Sequence, residues 1–121
     1  MGFLEGLLWL TLNVYHEARG ESEMGQLAVA HVTLNRAANN HQSLEQVVKA
    51  PYQFSWTFQK KTYVPTEPEA LLDCMHSALY AMISQDFTGG AMYYHRADIQ
   101  PDWSGKMTYI AQYGKHKFYR N

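Results

Sequence analysis

Asn13-Val14-Tyr15-His16-Glu17-Ala18-Arg19-Gly20-Glu21, followed by Ser22 and then Gly25-Gln26-Leu27-Ala28-Val29-Ala30, is the stretch on which the reading of this chain turns. Upstream of it, residues 5–17 place Leu7, Leu8, Leu12 and Tyr15 near one side of a helix, with Gly20 as a left-handed stop. Downstream, Ser22 caps a second helix to about residue 38. Its Met24, Leu27, Ala28, His31, Leu34 and Asn35 fall at helical spacing, and Val29, Ala30 and Val32 fill the other faces, so this helix is central. Ser43 caps a short helix over 44–49 that Pro51 ends. An aromatic loop over 52–58 precedes a fourth helix from Thr66 or Glu67 to about residue 84, with Pro68 in its first turn. Residues 91–95 and 107–113 read as strands, the second turning at Gly114-Lys115 into 116–119, and Trp103 falls in the loop between. The expectation is a helix-dominated α+β domain with a short antiparallel sheet.

The remainder of the chain sets limits. Its 121 residues are room for one domain, 1–121, and a formal net charge of −1 argues against a nucleic-acid protein held by a broad basic surface. Cys74 is the single cysteine, so neither an intrachain disulfide nor a multi-cysteine zinc site is available, and its apolar surroundings suit an inert buried thiol. The apolar N-terminal run 3–10 includes Glu5, lacks a basic lead-in and is too short to span a bilayer. It reads as neither a secretion signal nor a stable membrane insertion. Charge is segregated: 62–94 carries only acidic residues, and Lys106, Lys115, Lys117 and Arg120 follow Asp102. A basic tail suits an anionic polymer, and a solvated surface explains it equally.

His16-Glu17 begins like the H-E-x-x-H zinc motif, but Gly20 stands where the second ligand belongs. What remains is a carboxylate in the last turn of an apolar helix. The negative helix end and partial burial both raise its pKa, toward the range of a general acid. The alternative is that Glu17 pairs with Arg19, while Glu21 decorates the next helix start. Aromatics make up 14% of the chain and gather after residue 50. Tyr52, Phe54, Trp56 and Phe58 alternate, Tyr93 and Tyr94 sit on a strand, and Trp103 follows Pro101. Sugars stack their C–H faces on such rings, and Gln53, Ser55 and tyrosine hydroxyls supply hydrogen bonds. For Phe54 and Phe58 the reading as strand core outweighs a site role. His31 reads as a core polar group and His41 and His76 as surface residues; His16, His95 and His116 lie beside the motif segments, where they could converge.

These segments together resemble the SleB-type cell-wall hydrolases, the family of the spore-cortex-lytic enzymes. N-x-x-x-E-A-R-G-E is Asn13 to Glu21, G-Q-x-A-V-A is Gly25 to Ala30, and L-N-R is Leu34 to Arg36. Q-F-S is Gln53-Phe54-Ser55, G-A-x-Y-Y-H is Gly90 to His95, P-x-W is Pro101 to Trp103, and G-x-H-x-F-Y is Gly114 to Tyr119. The resemblance implies a lysozyme-like or lytic-transglycosylase-like domain that cleaves the β-1,4 bond between N-acetylmuramic acid and N-acetylglucosamine. It implies Glu17 as the catalytic acid, no metal or other cofactor, and substrate contacts from Glu21, Gln53, Phe54, Ser55, Tyr93, Tyr94, His95, Trp103 and His116. In the transglycosylase form one carboxyl serves as acid and then base, closing a 1,6-anhydro ring. A hydrolase needs a second carboxylate about 6.5–9.5 Å away if inverting, or about 5–5.5 Å if retaining; Glu21, Asp98 and Asp102 are the candidates. Without a signal or wall-binding segment the chain is expected to be a monomeric phage endolysin, made in the host cytoplasm, released with a holin-type partner and acting at the wall. An N-acetylmuramoyl-L-alanine amidase and a non-catalytic peptidoglycan-binding domain are the alternatives.

Overall fold

The computed structural model describes residues 2–50, 54, 56–59 and 62–121. Its helices are α1 (Phe3–Ala18), α2 (Glu23–Asn40), α3 (Leu44–Lys49), α4 (Trp56–Gln59) and α5 (Pro68–Ile83). The strands β1 (Tyr93–Arg96), β2 (Thr108–Tyr113) and β3 (His116–Arg120) form an antiparallel sheet in the order β1-β3-β2. Helices dominate and the sheet is small, as the α+β reading expects.

Helix α1 buries Leu10 and Val14 completely, with Leu7 beside them, against α2 and α5. Leu7, Leu10 and Val14 are spaced i, i+3, i+7, one stripe of a helix. Leu8 lies off that stripe and is 55% exposed, which corrects its expected place on the inner side. Cys74 is buried in the same cluster, where burial pushes its thiol up to about 11, in keeping with an unreactive group.

Gly20 does not adopt the left-handed conformation expected of it; among the described residues His41, Gly89, Gly90 and Gly114 have positive φ. The end of α1 is closed in another way. The Glu21 N–H donates to the Ala18 carbonyl, and the Gln26 amide donates to the carbonyls of Ala18 and Arg19. Gln26 is held in turn by the Ser77 hydroxyl at 2.7 Å. Helix α2 starts at its Ser22 cap, as read, and runs two residues beyond the expected end, to Asn40, with His41 (φ 54°) as its left-handed cap. Ser43 forms a capping box with Gln46 at the start of α3. The segment expected as an aromatic loop contains the short helix α4. Trp103 lies in a 3-10 helix, Asp102–Lys106, rather than a loop.

Two polar devices lock elements onto α1 and α2. The buried Asn13 donates to the Thr33 hydroxyl at 3.1 Å and accepts from the Trp56 indole N–H at 2.8 Å, fixing α4 against α1. Asn35 and Arg36, the end of the L-N-R run, donate to the carbonyls of Ala91 and Met92 at 3.0 and 2.6 Å, which sets where β1 begins.

Candidate active site

Glu17 is in the last turn of α1, on the wall of a cavity of about 380 Å³ shared with His16, Gly20, Glu21, Arg96 and His116, among others. The Tyr94 hydroxyl, from β1, donates to Glu17 Oε1 at 2.5 Å. Strand register places Tyr94 opposite Phe118, so Tyr94, His116 and Phe118 share the face of the sheet turned to the end of α1. The His116 ring meets the Tyr94 ring edge-on, with centroids 5.3 Å apart.

The electrostatics follow from burial. Desolvation raises the pKa of Glu17, and the Tyr94 hydrogen bond, the His116 charge and the Arg36 guanidinium each offset part of that rise. Gln26 and the Glu21 amide take the Ala18 and Arg19 carbonyls at the end of α1, and burial is the leading cause of the raised pKa. Tyr94 stays a phenol: burial holds its pKa well above normal, and the neighbouring Glu17 adds to the effect. A carboxyl whose pKa is raised by desolvation, beside a donor that stabilises the ionised form, is suited to give a proton and take one back.

Arg19 does not pair with Glu17. It meets Glu67 at 2.6 Å and lies over the Tyr15 ring. The Tyr15 hydroxyl accepts from the amides of Thr66 and Glu67, so this group anchors the start of α5. Glu21 is also committed: its Oε1 accepts from the Lys115 amide at 2.8 Å and from His116 Nδ1 at 2.7 Å. The expectation of a substrate contact therefore meets a side chain that is 6% exposed and turned to the β2–β3 turn.

The other expected site residues divide. Tyr94 and His116 stand with Glu17. Phe54, expected as a sugar contact, is 3% exposed and packs with Val48, Trp56 and Leu12, which leaves almost no ring surface free for stacking. Trp56 is equally buried. Tyr93 and His95 lie on the opposite face of the sheet from Tyr94, because neighbours along a strand alternate. His95 stacks on Tyr119 and meets Trp103 edge-on, and Tyr93 also contacts Trp103. His95 and His116 thus do not converge, and His16 stacks on Trp56 at 4.4 Å with its Nε2 donating to the Tyr63 carbonyl. Among the described residues no three His, Cys, Asp or Glu side chains are grouped to hold a metal ion. Gln53 and Ser55 lie outside the described residues.

In the sequence Arg36 is legible only as the end of the L-N-R motif. Its guanidinium lies over the rings of Phe54 and Tyr93, 5.2 and 5.6 Å from their centroids, and its charge reaches Glu17. A lone Arg at the end of a predicted helix carries no signal of this; its approach to Glu17 exists only once α1 and α2 are packed together.

Residues 20–119 match the family model described as Cell Wall Hydrolase. The chain is 34% identical over 108 residues to the spore cortex-lytic enzyme of Halalkalibacterium halodurans, covering 87% of this chain and 32% of that protein. It is 32% identical over 124 residues to the spore cortex-lytic enzyme of Bacillus cereus, covering 97% and 45%. It therefore spans less than half the length of these curated relatives. Its fold is similar to the catalytic domain of the germination-specific lytic transglycosylase SleB from Bacillus anthracis, with TM-score 0.81, 30% identity and coverage of 95% of this chain and 93% of that one. The catalytic domain of the Bacillus cereus SleB protein gives TM-score 0.78 and 32% identity, covering 98% and 93%. Motif order, helix–sheet architecture and these likenesses agree: the chain belongs to the cell wall hydrolase family.

Proposed function

We propose that this chain cleaves the β-1,4 bond between N-acetylmuramic acid and N-acetylglucosamine in peptidoglycan, as a lytic transglycosylase with Glu17 as its acid and base. The observation that carries this reading is a half-buried Glu17, its pKa raised, on a cavity wall with the Tyr94 hydroxyl on one oxygen. The likeness to a domain described as a lytic transglycosylase supports it.

In the first step Glu17 gives its proton to the glycosidic oxygen as the C1–O bond breaks. Tyr94 then stabilises the carboxylate that remains, and the substrate's acetamido group stabilises the cation at C1. In the second step Glu17 takes the proton of the C6 hydroxyl as its oxygen attacks C1, closing the anhydro ring and restoring the acid. No water has to be activated, so no second free carboxylate is required. The commitment of Glu21 to His116 and the Lys115 amide favours this one-carboxylate route.

Action at the bacterial wall follows from this substrate. Deployment as a phage endolysin with a holin-type partner is the narrower form of the proposal, resting on the sequence reading alone. No helix among the described residues is long and apolar enough to cross a membrane.

The test is product analysis of digested peptidoglycan by mass spectrometry, with Glu17→Gln as the control. Anhydro-muramic ends that vanish in the variant are the expected result. Reducing muramic ends instead mean a hydrolase, and freed stem peptides mean an amidase; either overturns the proposal. Glycan strands bound but never cut mean a binding domain.

A further inference from the structure

Glu21 is a buried carboxylate that the acid–base cycle leaves without a part, yet it lines the same cavity as Glu17. It comes from the α1–α2 junction and reaches across to the β2–β3 turn, where one oxygen accepts from both Lys115 N–H and His116 Nδ1. The fit there is tight. Gly114 has φ +59°, and a Cβ at that position would lie 2.9 Å from Glu21 Oε2. The turn is therefore shaped around this carboxylate, which closes over a residue that carries no side chain.

An ionised carboxylate only accepts, so the hydrogen of His116 is on Nδ1 and the ring is held in one orientation. That ring is the edge against which the Tyr94 ring rests, and Tyr94 carries the hydroxyl that holds Glu17. Glu21, His116, Tyr94 and Glu17 thus form one line of contact from the turn to the acid. A 2.5 Å hydrogen bond tolerates little displacement of its donor.

We propose that Glu21 is a positioning residue: by fixing the Gly114-Lys115 turn and the His116 ring, it keeps the Tyr94 hydroxyl on Glu17. This rests on the reading of Glu17 as the acid. The role lies in where the oxygen stands rather than in its charge, because the two bonds it accepts need an acceptor at that point.

Glu21→Gln and Glu21→Asp separate the two. Glutamine keeps an acceptor oxygen at the same reach without the charge; aspartate keeps the charge and withdraws the oxygen by one methylene. On solubilised peptidoglycan glycan strands, kcat is expected within about fivefold of the parent in Glu21→Gln. A fall of roughly 10–100-fold is expected in Glu21→Asp, the size of losing one hydrogen bond to a charged group. KM should change by less than about threefold in both. The ring 15N signals of His116 should report hydrogen on Nδ1 in the parent and Glu21→Gln, and a tautomer mixture in Glu21→Asp. The reverse order of activity, an unchanged kcat in Glu21→Asp, or a loss confined to KM each overturn the proposal. Melting curves of the two variants show whether either has lost its fold; if Glu21→Asp has, Gly114→Ala pushes on the same carboxylate and must reproduce its loss of kcat. An inactive parent would instead count against the Glu17 reading, so the two failures are distinct.

Discussion

The two faces of the three-stranded sheet are built from the same kinds of residue and do different things. One carries Tyr94, His116 and Phe118 and meets the end of α1; the other carries Tyr93, His95 and Tyr119 and is covered by Trp103. On the covered face the polar atoms satisfy one another: His95 Nε2 and the Tyr119 hydroxyl are 2.8 Å apart, and His95 Nδ1 donates to the Arg96 carbonyl. On the inner face the Tyr94 hydroxyl has an acid from another element as its partner. Identical chemistry becomes packing when its partners lie in the sheet, and a site when a half-buried carboxyl with a raised pKa arrives from outside it.

The largest break in this contrast is Glu17→Gln. Wall-lytic activity should fall by roughly 10²–10⁴-fold, the contribution of a general acid, as measured by release of glycan fragments. Stability should move the other way. The folded-state pKa of Glu17 is raised, so its stabilising contribution is complete below the unfolded carboxyl pKa near 4.5 and lost as pH rises through the folded value. The variant should therefore melt higher than the parent at pH 7, with the gain fading at pH 4. A variant that melts lower at pH 7 would contradict the burial argument.

Tyr94→Phe comes next. It removes the donor that favours the carboxylate form, so a fall in kcat of roughly 10–100-fold is expected. The sign on pH is fixed: the Tyr94 bond lowers the pKa of Glu17, so its loss raises that pKa further. The alkaline limb of the pH–rate profile, where the acid loses its proton, should shift to higher pH. A shift to lower pH would remove Tyr94 from the role given to it.

The smallest catalytic effect is expected on the covered face. Trp103→Ala deletes a ring packed on Tyr93, His95 and Tyr119 and should cost about 2 kcal/mol of stability, seen in thermal melts. Its kcat/KM on glycan fragments should stay within about threefold. A tenfold loss of kcat/KM with unchanged melting would instead make Trp103 a sugar platform and merge the two faces.

The sequence pattern was informative wherever the physics is local. Ser22 and Ser43 announced their caps, Pro68 the first turn of α5, and Gly114-Lys115 the hairpin turn. It misled where a local role was taken by a distant group. Gly20 looked like a left-handed stop, but Gln26 and the Glu21 amide close α1 instead. Phe54 suits a core in the sequence, but which core it joins, against Val48 and Trp56, is a property of α3 and α4 together.

Sequence alone determined that Glu17 ends an apolar helix, that one cysteine excludes a disulfide framework, and which motif blocks follow in which order. These are matters of residue identity, spacing and turn chemistry, which act over a few positions. Tertiary structure decided which of Tyr93 and Tyr94 reaches the acid, that Arg19 goes to Glu67, and that Glu21 closes on a turn 94 residues away. Adjacent strand residues point to opposite faces, so the choice between two tyrosines depends on which face of β1 docks on α1. The raised pKa of Glu17 belongs to the same level: desolvation comes from what is packed around a group, and the chain acquires it only on folding.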